Sequence, residues 1–189
     1  MSKTTIATGG IADDAVTIAK VTGLGKIGQV VTTTFTGTES STSKFSGETP
    51  ADSSVYASLT PTATSSKIMV MCTVNAGSSD GSNGMHMGRF AQIISGGATT
   101  TVFVGAAASN RILTSSGRMD GAIDANTLVT YSFNFLLSPS TTSAVTVKYQ
   151  FGVRGTGSGT AYINRTHTDS DSNEFQRTAS AITLMEVLA

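Results

Sequence analysis

The chain has 189 residues, 12 basic, 12 acidic and a formal net charge of zero, so it has room for about one domain and carries no basic field for nucleic acid. One cysteine and two histidines exclude an internal disulfide and a standard zinc site, and no apolar run reaches the ~18–20 residues of a membrane-spanning helix. Abundant Thr, Ser and Gly beside Val and Ile favour an all-β fold.

Residues 1–26 are predicted to be an attachment segment. Within Ile11–Thr22, apolar side chains recur at i, i+4 and i+7 and acidic residues occupy the first turn, a pattern that predicts a short amphipathic helix. A helix this short is marginal alone and needs a surface to pack against. The Gly-rich stretch 23–28 is predicted to be a hinge. The residues expected to make the attachment are Ile6, Ile11, Ala15 and Ile18.

From Ile27 to the end, short β-type runs alternate with clusters of Gly, Ser, Asn, Asp and Pro, at spacings typical of sandwiches and barrels. Residues 27–189 are therefore predicted to form an antiparallel β-sandwich. The predicted strands, about eight or nine in all, lie near 27–36, 54–60, 67–76, 86–95, 99–106, 127–138, 144–153, 160–166 and 179–188. Two polar stretches, 37–53 and 107–126, are predicted to be long loops.

Two of these strands alternate clearly between apolar and polar side chains. In Val145–Val153 the odd-numbered positions are Val, Tyr or Phe, whereas Thr146, Lys148 and Gln150 share the other face. Residues 129–137 repeat this pattern. We expect one face of each strand to lie in an aromatic core and the other to face water.

Two other strands, Ile68–Val74 and Ile182–Leu188, are apolar on both faces. In a two-sheet sandwich the second apolar face needs a cover, either a neighbouring subunit or a long loop of the same chain. The pattern favours an obligate oligomer. The candidate subunit-interface residues are Met69, Met71, Met185 and Val187.

Two glycine motifs are candidates for chemistry. The GxGxxG string 23–28 lacks the preceding strand and following helix of a dinucleotide site. The GxSxG string 77–81 follows a strand, but no helix follows it to seat Ser79 as a nucleophile. His167 and Asp169 could complete a triad with Ser79 only through an unforeseen fold. We expect no enzyme, and a hydrolase using Ser79 is the least favoured hypothesis.

The segment Asp169–Asn173 spaces three oxygen ligands, Asp169, Asp171 and Asn173, as a calcium loop does. Its sixth position is Glu174 where Gly is needed, and the twelfth is Ser180 rather than a carboxylate, so calcium is only a weak possibility. No cofactor or metal is therefore expected. Asn, Asp, Ser and Thr in the loops suit a glycan-binding module, although Trp is absent and only four Tyr are present for stacking.

The C-terminal half resembles the head domains of fibre or spike proteins of tailed bacteriophages, particularly those of marine and aquatic bacteria. The resemblance is carried by Ser138–Gln150, Thr160–Arg165 with the acidic 169–171, and Ala179–Val187. Gly10–Lys20 is similar to the "GAVT-x-AK" units of phage stalks, although here one unit is present rather than a tandem array. The chain departs from the pattern at Leu137, where the family commonly has Asp, and at Ala181, where it has Ser.

This resemblance implies a jelly-roll-like head assembled as a homotrimer, with no active site. The expected function is that of a virion structural protein, a trimeric fibre or spike subunit docked onto another tail or capsid protein through residues 1–26. Its head is expected to be exposed for contact with a host-surface glycan or receptor. A capsid decoration protein, a glycan-binding module and the hydrolase remain as alternatives.

Overall fold

The computed structural model describes residues 26–45, 49–79, 86–117, 126–154 and 159–188. Secondary structure in these ranges consists of strands, and no helix occurs among them. The described residues thus include no helix with the length and hydropathy required to span a bilayer. The strands are β1 (Lys26–Phe35), β2 (Glu39–Ser41), β3 (Ala51–Leu59), β4 (Lys67–Ser78), β5 (His86–Ile94), β6 (Thr99–Val102), β7 (Val129–Leu137), β8 (Val145–Val153), β9 (Ala161–Ile163) and β10 (Ser180–Leu188).

The strands form two antiparallel sheets, which confirms the predicted all-β sandwich. The first sheet has the order β1-β10-β4-β7, and the short β9 and β2 extend it beside β4. The second sheet has the order β3-β8-β5-β6. The eight main strands pair as one nested hairpin, β1 with β10, β3 with β8, β4 with β7 and β5 with β6. Rolling such a hairpin so that successive strands alternate between sheets produces a jelly roll.

The predicted alternation of β7 and β8 is confirmed. Val145, Val147, Tyr149, Phe151 and Val153 are all at most 1% exposed, and they pack against residues of both sheets in one core. The ring of Phe90 lies 5.0–5.3 Å, centroid to centroid, from three other rings, those of Phe133, Phe135 and Tyr149. Gln150, predicted to face water, is instead only 6% exposed.

The stretch 37–53 is not a single loop as predicted, because it contains β2 and the start of β3. Asn164 explains how β2 and β9 form: it has a positive φ of 62°, a conformation that Asn tolerates, and it is fully buried. Its side-chain amide donates to the carbonyls of Phe35 and Gly37, and its Oδ1 accepts from Ser180 Oγ. This junction ties the ends of β1, β9 and β10 together. Asn164 is therefore a buried structural residue.

Close packing fixes Gly88 in β5. A Cβ atom at this position would lie 1.7 Å from the hydroxyl oxygen of Tyr149, so only glycine leaves room for the Tyr149 side chain. That hydroxyl lies 3.0 Å from Nε2 of His86 and 3.2 Å from Oγ of Ser116. Gly88 thus permits a buried polar cluster inside the second sheet.

Candidate functional site

The outer face of the first sheet carries a row of apolar side chains that crosses all four main strands. Cross-strand register places Val30 opposite Met185, Met185 opposite Met69, and Met69 opposite Leu136. Cross-strand neighbours on one face stand about 5 Å apart, so the four side chains form a continuous surface. We call Val30, Met69, Leu136 and Met185 the outer apolar row.

Further apolar side chains widen this row. Ile27 pairs with Val187 on one side of it, and Met71 lies two residues along β4 on the other. Ile27, Val30, Met71 and Leu136 are 46–56% exposed, whereas Met69, Met185 and Val187 are partly buried. Extended apolar surface of this kind on a soluble domain marks an interaction site or an aggregation hazard.

All four residues predicted from sequence for the subunit interface, Met69, Met71, Met185 and Val187, lie on this outer face. The alternate positions of β4 and β10 account for this, since Ile68, Val70, Ile182 and Leu184 are buried in the core. Sequence reasoning missed Val30 and Leu136, because their membership depends on which strands flank β4 and β10. That information is in the sheet order rather than in any single strand.

The outer face of the second sheet carries a network of polar groups that bond to one another, beside the exposed Tyr56 and the partly buried Ile93. Asp52 accepts hydrogen bonds from Lys148 Nζ at 3.0 Å and from Gln150 Nε2 at 2.8 Å, and Arg89 Nε donates to Gln150 Oε1 at 3.0 Å. The ammonium of Lys148 also lies 5.2 Å from the centroid of the Tyr56 ring. Hydrogen bonds to Gln150 and Lys148 outweigh partial burial and hold the pKa of Asp52 below its usual value.

Titratable side chains are buried on the inner face of each sheet, among them His86 and Glu186. In the second sheet, His86 is fully buried, with its ring stacked 5.8–6.1 Å from the rings of Tyr131, Tyr149 and Phe151. Burial lowers the pKa of His86 to about 3, so its ring is neutral at pH 7.

In the first sheet, Glu186 is fully buried at the end of β10. Its carboxylate accepts hydrogen bonds from the backbone N and hydroxyl of Thr62, at 2.6 and 2.7 Å, and from Gln29 Nε2 at 2.8 Å. Burial acts to raise the pKa of Glu186, but the hydrogen bonds from Thr62 and Gln29 prevail and lower it to about 2. The carboxylate thus joins β1, β10 and the turn before β4.

The weak calcium candidates Asp169, Asp171 and Asn173 lie in the segment between β9 and β10. Asp169 is instead clamped by two guanidinium groups: Arg177 donates from Nε and Nη2 at 2.9 and 2.8 Å, and Arg165 from Nη1 at 2.9 Å. These bonds lower the pKa of Asp169 to about 2. Within the described ranges, no three His, Cys, Asp or Glu side chains are grouped to hold a metal ion.

Ser79 and His167, the other residues considered for a catalytic triad, each bond to a different partner. The hydroxyl of Ser79 accepts a hydrogen bond from the backbone N of Thr160, and Nδ1 of His167 lies 2.8 Å from the hydroxyl of Tyr162. Gly77 of the GxSxG string belongs to β4 rather than to a turn, and a Cβ there would lie 2.4 Å from the carbonyl oxygen of Arg165. The close approach of the backbone after β9 therefore requires glycine at this position.

The predicted attachment residues Ile6, Ile11, Ala15 and Ile18 lie outside the described residues, as does the predicted helix 11–22. The first described residue, Lys26, begins β1, which is the edge strand of the first sheet. Gly28 of the GxGxxG string lies within β1, where the register with β10 shifts.

No protein-family model and no curated protein matches the chain. Among solved structures, it is similar to a chain in "Structure of infectious bursal disease virus Gx strain", with 13% identity and a TM-score of 0.38. The match covers 86% of this chain and 43% of that chain, so this chain spans less than half its length. A likeness at this TM-score carries no argument about function.

Proposed function

We propose that this chain is a non-enzymatic virion structural protein of a bacteriophage, a fibre or spike subunit whose β head assembles as a homotrimer. Residues 1–26 attach the head to another tail or capsid protein, and the loops face the host surface. The observation that carries the proposal is the outer apolar row. Support from sequence comes from the resemblance to phage head domains given above.

The outer apolar row supports self-association because it is chemically uniform. Val30, Met185, Met69 and Leu136 contribute no charge, and Thr32, Thr183 and Asn134 on the same face are uncharged as well. Lys67, opposite Val187, places one positive charge at the end of this face. The row itself therefore offers no charge to attract or orient a charged partner. It suits the flat, apolar interface of a permanent oligomer.

The contrast between the sheets also supports assembly through the first sheet. The second sheet bonds its outer polar groups among themselves, so it can face solvent, whereas the first sheet exposes apolar side chains across four strands. Three copies that turn their first sheets toward a common axis would bury these side chains and leave the second sheets outside. A capsid decoration protein would have the same assembly and differs only in its place on the particle.

Sedimentation equilibrium of the purified full chain tests the assembly. We expect the mass of three chains, independent of dilution into the low micromolar range, and a stable monomer contradicts the trimer. A second experiment tests the virion role: gold-labelled full-length protein and a variant lacking residues 1–26 are added to particles that lack the native protein. Electron microscopy should show label only with the full-length chain, and equal labelling would contradict attachment through residues 1–26.

A further inference from the structure

The segment that follows β9 forms a surface concavity of about 470 Å³. This size lies within the range of about 300–1,000 Å³ that is usual for small-molecule sites. Its lining combines carboxylates, a guanidinium group, hydroxyls and one aromatic ring. The lining residues are Asp169, Ser170, Asp171, Ser172, Phe175 and Arg177.

Two of the charged side chains that line this concavity are held by bonds within the chain itself. Arg177 and Asp169 form a two-pronged pair, Nε to Oδ1 and Nη2 to Oδ2. Arg165 donates to the same carboxylate from behind, and its guanidinium carbon lies 4.3 Å from the centroid of the Tyr162 ring. Bidentate pairs supported by a second layer of contacts give a polar site defined geometry.

The charges exclude two classes of ligand. Among the lining residues Asp169 and Asp171 are negative and Arg177 is positive. Arg165 adds a second positive charge beside Asp169, and the exposed Glu174 adds a third negative charge to the same segment. A phosphate or sulfate would meet two carboxylates, and a metal ion would meet guanidinium groups that already occupy Asp169. An uncharged ligand with several hydroxyl groups fits better, because it can accept from Arg177 and donate to Asp171.

We propose that this concavity binds an uncharged sugar residue of a glycan. Arg177 has five N–H donors and uses two on Asp169, which leaves three for sugar oxygens. The carboxylate of Asp171 accepts from sugar hydroxyls, and the half-buried ring of Phe175 packs against the apolar face of the sugar ring. This inference deepens the host-contact part of the proposed function.

The same contacts also have a purely structural use, since Arg165 and Arg177 are joined by a β-bridge and the clamp on Asp169 closes the segment between them. The two roles can be separated by residue. Asp171 and Phe175 line the concavity but take no part in the clamp, so their removal should affect a ligand and leave the segment intact.

The test is heteronuclear NMR titration of the full-length protein with the methyl glycosides of glucose, galactose, mannose and N-acetylglucosamine. We expect at least one to shift resonances of residues 169–177 with millimolar affinity, and Asp171→Asn and Phe175→Ala each to weaken binding on the order of tenfold. Neither variant should change the melting temperature by more than about 2 °C. Glu174→Gln, an exposed residue of the same segment outside the lining, is the matched control.

Three outcomes would overturn the proposal: no shift with any of the four glycosides, variants that bind as the wild type does, or saturation by inorganic phosphate at lower concentration than by any sugar. The oligomeric state measured by sedimentation is independent of these titrations. A trimer without sugar binding would therefore reject this site alone, and sugar binding by a monomer would reject the trimer alone.

Discussion

The two sheets of the sandwich have similar, apolar inner faces, but their outer faces differ in polarity. On the second sheet, Lys148 and Gln150 bond to Asp52, and Arg89 bonds to Gln150, so its polar groups satisfy one another. On the first sheet, the outer apolar row leaves Val30 and Leu136 about half exposed. The second sheet thus pairs its outer polar groups with one another, whereas the first sheet leaves apolar side chains exposed to solvent.

Lysine in the outer apolar row should have the largest effect. In Met69→Lys combined with Met185→Lys, an assembled trimer would have to bury uncompensated charges, each costing several kcal/mol, so we expect dissociation to folded monomers. Size-exclusion chromatography with light scattering measures the mass, and circular dichroism verifies that the monomers are β-folded.

Ser58→Lys is the matched control for this experiment, because Ser58 is exposed on the second sheet and pairs there with Thr146. It should keep the wild-type mass. A result in which Ser58→Lys dissociates the assembly and the Met variant does not would exchange the roles of the two faces.

His86 and Glu186 should each make the free energy of unfolding depend on pH, but over different pH ranges. Unfolded His86 binds a proton near pH 6.5, but the folded protein resists it until about pH 3, so the free energy of unfolding should fall as pH drops below 6.5. With a slope of about 1.4 kcal/mol per pH unit, the loss between pH 6.5 and 4.5 is on the order of 2 kcal/mol.

Urea unfolding at several pH values, fitted for wild type and His86→Phe, measures this loss. The variant keeps an aromatic ring between Tyr131, Tyr149 and Phe151, and most of the pH dependence above 4.5 should disappear. Tyr149→Phe, which removes the hydroxyl but retains His86, should keep the wild-type slope. An unchanged slope in His86→Phe would show that another group is responsible.

Glu186 in the first sheet should act at lower pH. Its folded pKa of about 2 lies below the ordinary value of 4.5, so the carboxylate contributes stability above pH 4.5 that is lost as pH falls toward 2. Glu186→Gln replaces an acceptor by an amide that cannot accept from both Thr62 and Gln29. We expect a loss of about 1–3 kcal/mol at pH 7.

The difference between wild type and Glu186→Gln should shrink from pH 4.5 to pH 2, because the wild-type carboxylate becomes protonated there. The other titrating groups are common to both proteins and cancel in this comparison. A constant difference over this range would mean that the carboxylate charge does not contribute. Thermal unfolding followed by circular dichroism provides the measurement.

The sequence was sufficient to predict most of the fold because strand alternation is a local signal. The inner residues of β8, from Val145 to Val153, could be assigned without knowing any partner strand. Asn164 could not be assigned in this way, because its partners Phe35, Gly37 and Ser180 are distant in sequence. The short strand β2 was missed for a similar reason, because it is paired only with β9, which is distant in sequence, whereas β9 itself lies within the predicted strand 160–166.

The candidate sites were predictable in part. Two apolar faces on β4 and β10 indicated Met69 and Met185, but the sheet order was needed to add Val30 and Leu136. The acidic spacing at 169–173 suggested calcium. The carboxylate of Asp169 is instead bonded by Arg165 and Arg177, and their spacing in the sequence did not predict these bonds. Gln150 was expected to face solvent because it alternates with the core residues of β8. Its burial involves Asp52 and Arg89 of the neighbouring strands, which the alternation within β8 does not reveal.

The smallest effect is expected on the outer face of the second sheet. Lys148→Met removes the ammonium group bonded to Asp52 but keeps an unbranched stem to pack on the Tyr56 ring. Because Asp52 is 51% exposed, water screens the pair, and the loss should be below about 1 kcal/mol and smaller still in high salt. Chemical unfolding at low and high salt measures it, and the trimer mass should be unchanged. The bond between Lys148 and Asp52 lies on the outer face of the second sheet and should not affect an interface formed by the first sheet. A loss of the trimer in Lys148→Met would therefore show that the second sheet also takes part in assembly.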